Sequence, residues 1–199
     1  MNWFKKGKRY QLEDLFHALE DKSLEETQKI LTAKPELLSK KDAKGISPFI
    51  YAVYTGEPEI VSLFLEAGAN PNEIAVDGSS ALSICMMESR EELLGLLLEK
   101  GANPNLPDRY MATPLMYAAQ RKLSQMASLL LAHGADPNTR DNEGDTILMY
   151  AVSANSAEIV KLLLKYGADP NSRNFDGFQA LDKSIDENIT QMLQEALKQ

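Results

Sequence analysis

The chain reads as an all-α solenoid of stacked helix-turn-helix units. Two phased series and the shortness of the helices predict this. The string Gly-Ala-Asn/Asp-Pro-Asn begins at Gly68, Gly101, Gly134 and Gly167, in steps of 33 residues. A second series keeps the same step: Ser47-Pro48-Phe49, Ser80-Ala81-Leu82, Thr113-Pro114-Leu115, Thr146-Ile147-Leu148 and a degenerate Gln179-Ala180-Leu181. A fixed period of this length marks a repeat architecture. Helices of about two turns are marginal alone, so each unit must bury its apolar face on its neighbours.

Residues 1–11 form a basic segment carrying Lys5, Lys6, Lys8 and Arg9. An export signal would continue with an apolar stretch, but the polar, acidic QLEDLFHALED follows, which predicts a cytoplasmic protein. Trp3 and Phe4 beside Lys5 and Lys6 offer a weak route to an anionic membrane. Each charge contributes about 1 kcal/mol near such a surface, and stable anchoring takes two signals, so no membrane partner is expected. Residues 12–41 form an N-terminal capping pair, with Leu15–Leu19 in one helix, Ile30-Leu31 in the other and Ala33–Leu38 in place of the Gly-Ala turn.

Full units follow at 42–74, 75–107, 108–140 and 141–173. In the third, Thr113 suits an N-cap and Pro114 the first helical position, where no amide donor is missed. A second helix covers Gln125–Ala132, with Met126, Leu129 and Leu130 on one face, and Gly134 stops it. The spacing of Ser89 and Glu92 predicts a capping box. Gly45, Gly78, Gly144 and Gly177 share one phase in the connecting turns, where Met111 stands in the third unit. Met111 implies either a strained turn or another shape. Cys85 takes a small-residue position, and Gly95 inside a helix costs about 1 kcal/mol relative to Ala. Unit 75–107 is therefore expected to be the softest. Residues 174–199 form a C-terminal capping unit shortened between its helices, since Ile189 follows Ile159 by 30 residues.

Thr113-Pro114-Leu115-Met116-Tyr117-Ala118 and Ser47-Pro48-Phe49-Ile50-Tyr51-Ala52, at this period, resemble the ankyrin-repeat family. The resemblance covers about residues 12–199, and the chain resembles compact bacterial proteins of this family in being almost all repeats. It implies antiparallel helix pairs with turns projecting as β-hairpin fingers. The family's His after Thr-Pro-Leu is missing; Ile50, Ser83, Met116, Met149 and Asp182 replace it, which puts hydrogen bonding between repeats in doubt.

Catalytic chemistry finds little support. Cys85 is the only thiol, at a core phase where burial leaves it inert. His17 and His133 lie three and a half units apart, too far for one metal or relay. The acidic pairs fall on helix starts and surfaces, and no phosphate loop exists. No enzyme activity, cofactor or metal is expected. With 21 basic against 29 acidic residues, the net charge of −8 disfavours nucleic acid.

What the resemblance implies instead is a protein partner on the concave face made by fingers and first helices. The family's contact positions, carried over one by one, single out Tyr54, Met87, Arg109, Tyr110, Arg121, Tyr166, Phe175 and Phe178. Tyr and Arg are enriched among interface hot spots. Aromatics among them have an alternative role in covering neighbouring fingers. The convex back presents Ser62, Gly95, Ser128 and Lys161, which are poor anchors. The reading is a monomeric interaction module. An inhibitor or immunity-type protein masking a toxin or enzyme is the alternative, ahead of an enzyme or a nucleic-acid binder.

Overall fold

The computed structural model describes residues 10–198; Trp3, Phe4, Lys5 and Lys6 lie outside the described residues. Among the described residues eleven α-helices follow in order: α1 (Leu12–Glu20), α2 (Leu24–Ala33), α3 (Pro48–Thr55), α4 (Pro58–Glu66), α5 (Ala81–Glu88), α6 (Glu91–Glu99), α7 (Pro114–Gln120), α8 (Ser124–Ala132), α9 (Ile147–Ser153), α10 (Ala157–Lys165) and α11 (Glu187–Ala196). The helix starts obey simple capping chemistry. Ser47, Ser80 and Thr146 accept the amides of Ile50, Ser83 and Met149 at 3.1, 3.1 and 3.3 Å. Thr113 occupies the N-cap position of α7 without such a bond; its hydroxyl meets that of Thr139 at 3.4 Å.

The helices pack in two layers. Helices α1, α3, α5, α7 and α9 touch in sequence to form an inner layer, and α2, α4, α6, α8, α10 and α11 form an outer one. One continuous core runs between them, with Phe49, Phe64, Ile84, Leu94, Leu130, Leu148 and Leu163 buried. Burying each such side chain stabilises by about 1.5–3 kcal/mol. Of the methionines on helix phases, Met86, Met116, Met126 and Met149 are core, Met87 is half-buried, and Met111 is 52% exposed on its turn.

Hydrogen bonding between repeats passes to the asparagine that ends each Gly-Ala-x-Pro-Asn string. Asn72, Asn105 and Asn138 each accept, through Oδ1, the amide of Asn103, Asp136 and Asp169 in the next unit at 2.6, 2.7 and 2.8 Å. Each also donates from Nδ2 to the carbonyl of Gly101, Gly134 or Gly167.

Several expectations need correction. Ser89 is not an N-cap: it ends α5 in the left-handed conformation (φ 55°), and Arg90 takes the N-cap position of α6. A tight turn between α5 and α6 needs that backbone, which no capping-box geometry provides. The last unit has no first α-helix; a four-residue 3-10 turn, Ala180–Lys183, stands there. The shortened sequence leaves no room for a second turn of helix. The hairpin fingers are reduced to single antiparallel bridges, Ile74 to Ser80, Arg140 to Thr146 and Arg173 to Gln179. In the third finger Pro107 holds the corresponding phase and has no amide to donate.

Candidate functional site

The third and fourth fingers are organised from their bases. Asp108 Oδ1 accepts the amides of Tyr110 and Ala112 at 2.8 and 3.0 Å, and Asp141 Oδ1 those of Glu143 and Asp145 at 2.9 and 2.8 Å. The second oxygen takes a tyrosine from the following helix. The hydroxyls of Tyr117 and Tyr150 donate to Asp108 and Asp141 Oδ2, both at 2.6 Å. Burial, then the bonded carboxylate, pushes the Tyr117 hydroxyl up to about 12 and raises Tyr150 in the same way. Unit 75–107 has Ala75 and Ile84 at these two positions, so both partners are replaced together and no polar group is stranded. Sequence reasoning missed these pairs. Their signal is an aspartate and a tyrosine nine residues apart at the period; Asp42 and Tyr51 share the spacing, but the Tyr51 hydroxyl donates to Glu20 at 3.3 Å instead.

Tyr54, Arg109 and Tyr110 form a connected line. The Tyr54 hydroxyl donates to Asp77 Oδ2 at 3.4 Å. Asp77 is held below its usual range chiefly by the Ser79 amide, with Tyr54 and Arg109 adding to it. Arg109 lies against Gly78 in the preceding finger, and its guanidinium sits 5.7 Å from the centre of the Tyr110 ring. Tyr110 itself is 57% exposed. Arg121 and Met87 form a second group, the guanidinium donating to the Met87 carbonyl.

Phe175 covers a neighbouring finger. Its amide donates to the Glu143 carbonyl at 3.2 Å, and its ring edge lies where a Cβ on Gly144 would be, 2.9 Å away. Phe178 is exposed on the same finger as Phe175. Tyr166 ends α10 in the outer layer and joins neither group.

A cleft of about 390 Å³ opens between the third and fourth fingers and helices α7 and α9. Tyr110, Tyr117, Gln120, Asp141, Asn142, Glu143 and Tyr150 line most of it. A hollow of about 480 Å³ between α10 and α11 is larger, but its lining of Lys161, Leu164, Met192 and Glu195 holds no site residue.

The family model for ankyrin repeats (three copies) matches residues 15–108 and 107–174. The chain belongs to the ankyrin-repeat family. Ankyrin repeats generally mediate protein–protein interaction. A comparison with curated proteins finds no match. In this ankyrin array Cys85 is fully buried, and burial pushes its thiol up to about 12, where the nucleophilic thiolate is scarce at neutral pH. His17 is exposed on α1 and His133 is exposed at the end of α8. Among the described residues no group of three or more His, Cys, Asp or Glu is placed to hold a metal, and no helix is long and apolar enough to cross a membrane.

Proposed function

We propose that the chain is a non-catalytic interaction module that binds a folded protein on the finger face, centred on repeats 75–107 to 141–173. One observation carries this reading: Tyr110 stands 57% exposed in the middle of the array, with the Arg109 guanidinium against its ring. Central aromatic and arginine anchors dominate interface energy, costing about 2 kcal/mol or more on truncation. The module acts as a monomer in the cytoplasm. Its net charge of −8 favours a basic partner, which is the observation behind the alternative of an inhibitor or immunity-type protein that masks a toxin or enzyme.

The test recovers a partner by pull-down and measures its affinity for two double variants. Tyr110→Ala with Arg121→Ala is expected to weaken binding at least about thirtyfold. Melting temperature should barely move, because both side chains are exposed. Ser128→Arg with Lys161→Glu, on exposed outer-layer positions, should leave affinity unchanged. Loss of binding in the outer pair but not in the finger pair would refute the finger-face site.

A further inference from the structure

We propose that the cleft between the third and fourth fingers is a receptor for an arginine side chain of the protein partner. This deepens, and rests on, the finger-face reading above. The electrostatics select a cation. The cleft lining holds Asp141 and Glu143 but no Lys, Arg or His. Asp141 is committed to its finger, since its oxygens already take two amides and the Tyr150 hydroxyl. Glu143 is different: its side chain is exposed and pairs with no cation among the described residues. It is the free carboxylate at the rim.

The walls select a guanidinium over an ammonium. A guanidinium is planar, donates in a fork that matches a carboxylate, and stacks on aromatic faces. The Tyr110 ring already takes one, from Arg109, at 5.7 Å. Arg109 is not among the residues lining the cleft, so it leaves the space open, and Asp77 offsets its charge. Deeper in, the hydroxyls of Tyr117 and Tyr150 spend their protons on Asp108 and Asp141. Their oxygens therefore face a ligand as acceptors only. Tyrosine rings, acceptor oxygens and one unpaired carboxylate meet in a space of about 390 Å³, a size suited to a side chain with its water.

The test is an NMR titration of the labelled full chain with the blocked tripeptide Gly-Arg-Gly, alongside its neutral citrulline counterpart. Amide shifts should concentrate at Tyr110, Tyr117, Gln120 and Glu143. The citrulline peptide should bind at least about tenfold more weakly. Glu143→Gln, an exposed change that leaves the finger's backbone bonds in place, should weaken the arginine peptide about threefold, as expected for a rim charge. Equal binding of the citrulline peptide would overturn the proposal. So would shifts spread evenly over the exposed acids Glu25, Glu91 and Asp176, or no localised shift at about 10 mM peptide, far above any useful affinity. Shifts of the same amides on raising protein concentration alone would make the occupant a second copy of the chain, and would equally overturn it. Each of these outcomes leaves the finger-face site intact, and only the last removes the monomer part of that reading. That reading falls separately, if the Tyr110→Ala/Arg121→Ala variant keeps its partner while the peptide binds the cleft of the unaltered chain.

Discussion

The Tyr117 hydroxyl, 2.6 Å from Asp108 Oδ2, ties helix α7 to the base of its finger. Burial first, then this carboxylate, raises the phenol from its ordinary value to about 12. A group whose proton is held more tightly in the folded state adds stability that is complete below its unfolded value, near 10 for tyrosine, and is lost as pH rises through the folded value. Tyr117→Phe is therefore expected to cost about 1 kcal/mol at neutral pH and to flatten the loss of stability above about pH 10. Urea unfolding on both sides of that pH checks it; an unchanged alkaline loss in the variant would clear Tyr117 of the effect. Met111 is the second residue whose backbone decides its role. It adopts φ 61° with its side chain 52% exposed, so the turn keeps its shape and bears the strain. Met111→Gly should be neutral or stabilising, because relief of about 1 kcal/mol outweighs the looser unfolded chain. A loss above about 1 kcal/mol on denaturation would mean that the side chain packs on something after all. The strain was legible in the glycine phase. The Tyr117 pair was not, because a tyrosine at a helix position reads as apolar cover until its hydroxyl has a partner.

Repeat 75–107 has Ala75 and Ile84 where the next two units carry the Asp–Tyr tie. Ser89 turns the chain between α5 and α6 in the left-handed conformation, as Gly56, Lys122 and Asn155 do at the same phase of the other units. Arg90 compensates by reaching back across the previous unit, donating to the Val53 carbonyl at 2.7 Å. It lies so close to Gly56 that a Cβ there would overlap its guanidinium. Inside α6, half-buried Gly95 has room for a methyl group: a Cβ would meet Leu129 Cδ2 at an ordinary contact of 3.7 Å. Gly95→Ala should thus stabilise the protein by about 0.5–1 kcal/mol, from helix propensity and a less flexible unfolded chain. Amide exchange should slow most in α6, which we propose to be the softest part of the stack. Destabilisation, or slowing spread evenly over all repeats, would contradict that. The glycine and its cost were readable in sequence; the Arg90 brace was not, since it joins residues 37 apart.

At the scale of the molecule, stacking sets both shape and surface. Six units at the usual spacing of 8–10 Å give an array roughly 50–60 Å long. Small-angle scattering should report an elongated particle; a radius of gyration near 16 Å, that of a compact sphere of this length of chain, would contradict the stack. The sequence by itself determined the period, the two helices of each full unit, the glycine phase of the fingers and the core identity of Cys85. All of these follow from the backbone preferences of single residues and from a pattern repeated every 33 positions. Only the tertiary structure decided the asparagine ladder, the Asp–Tyr ties, the Phe175 cover on Gly144 and the cleft with its unpaired Glu143. The ladder joins atoms 29 and 31 residues apart. Such contacts exist only once neighbouring units are stacked, because the rise and rotation between them choose which side chains of adjacent repeats come within hydrogen-bonding distance.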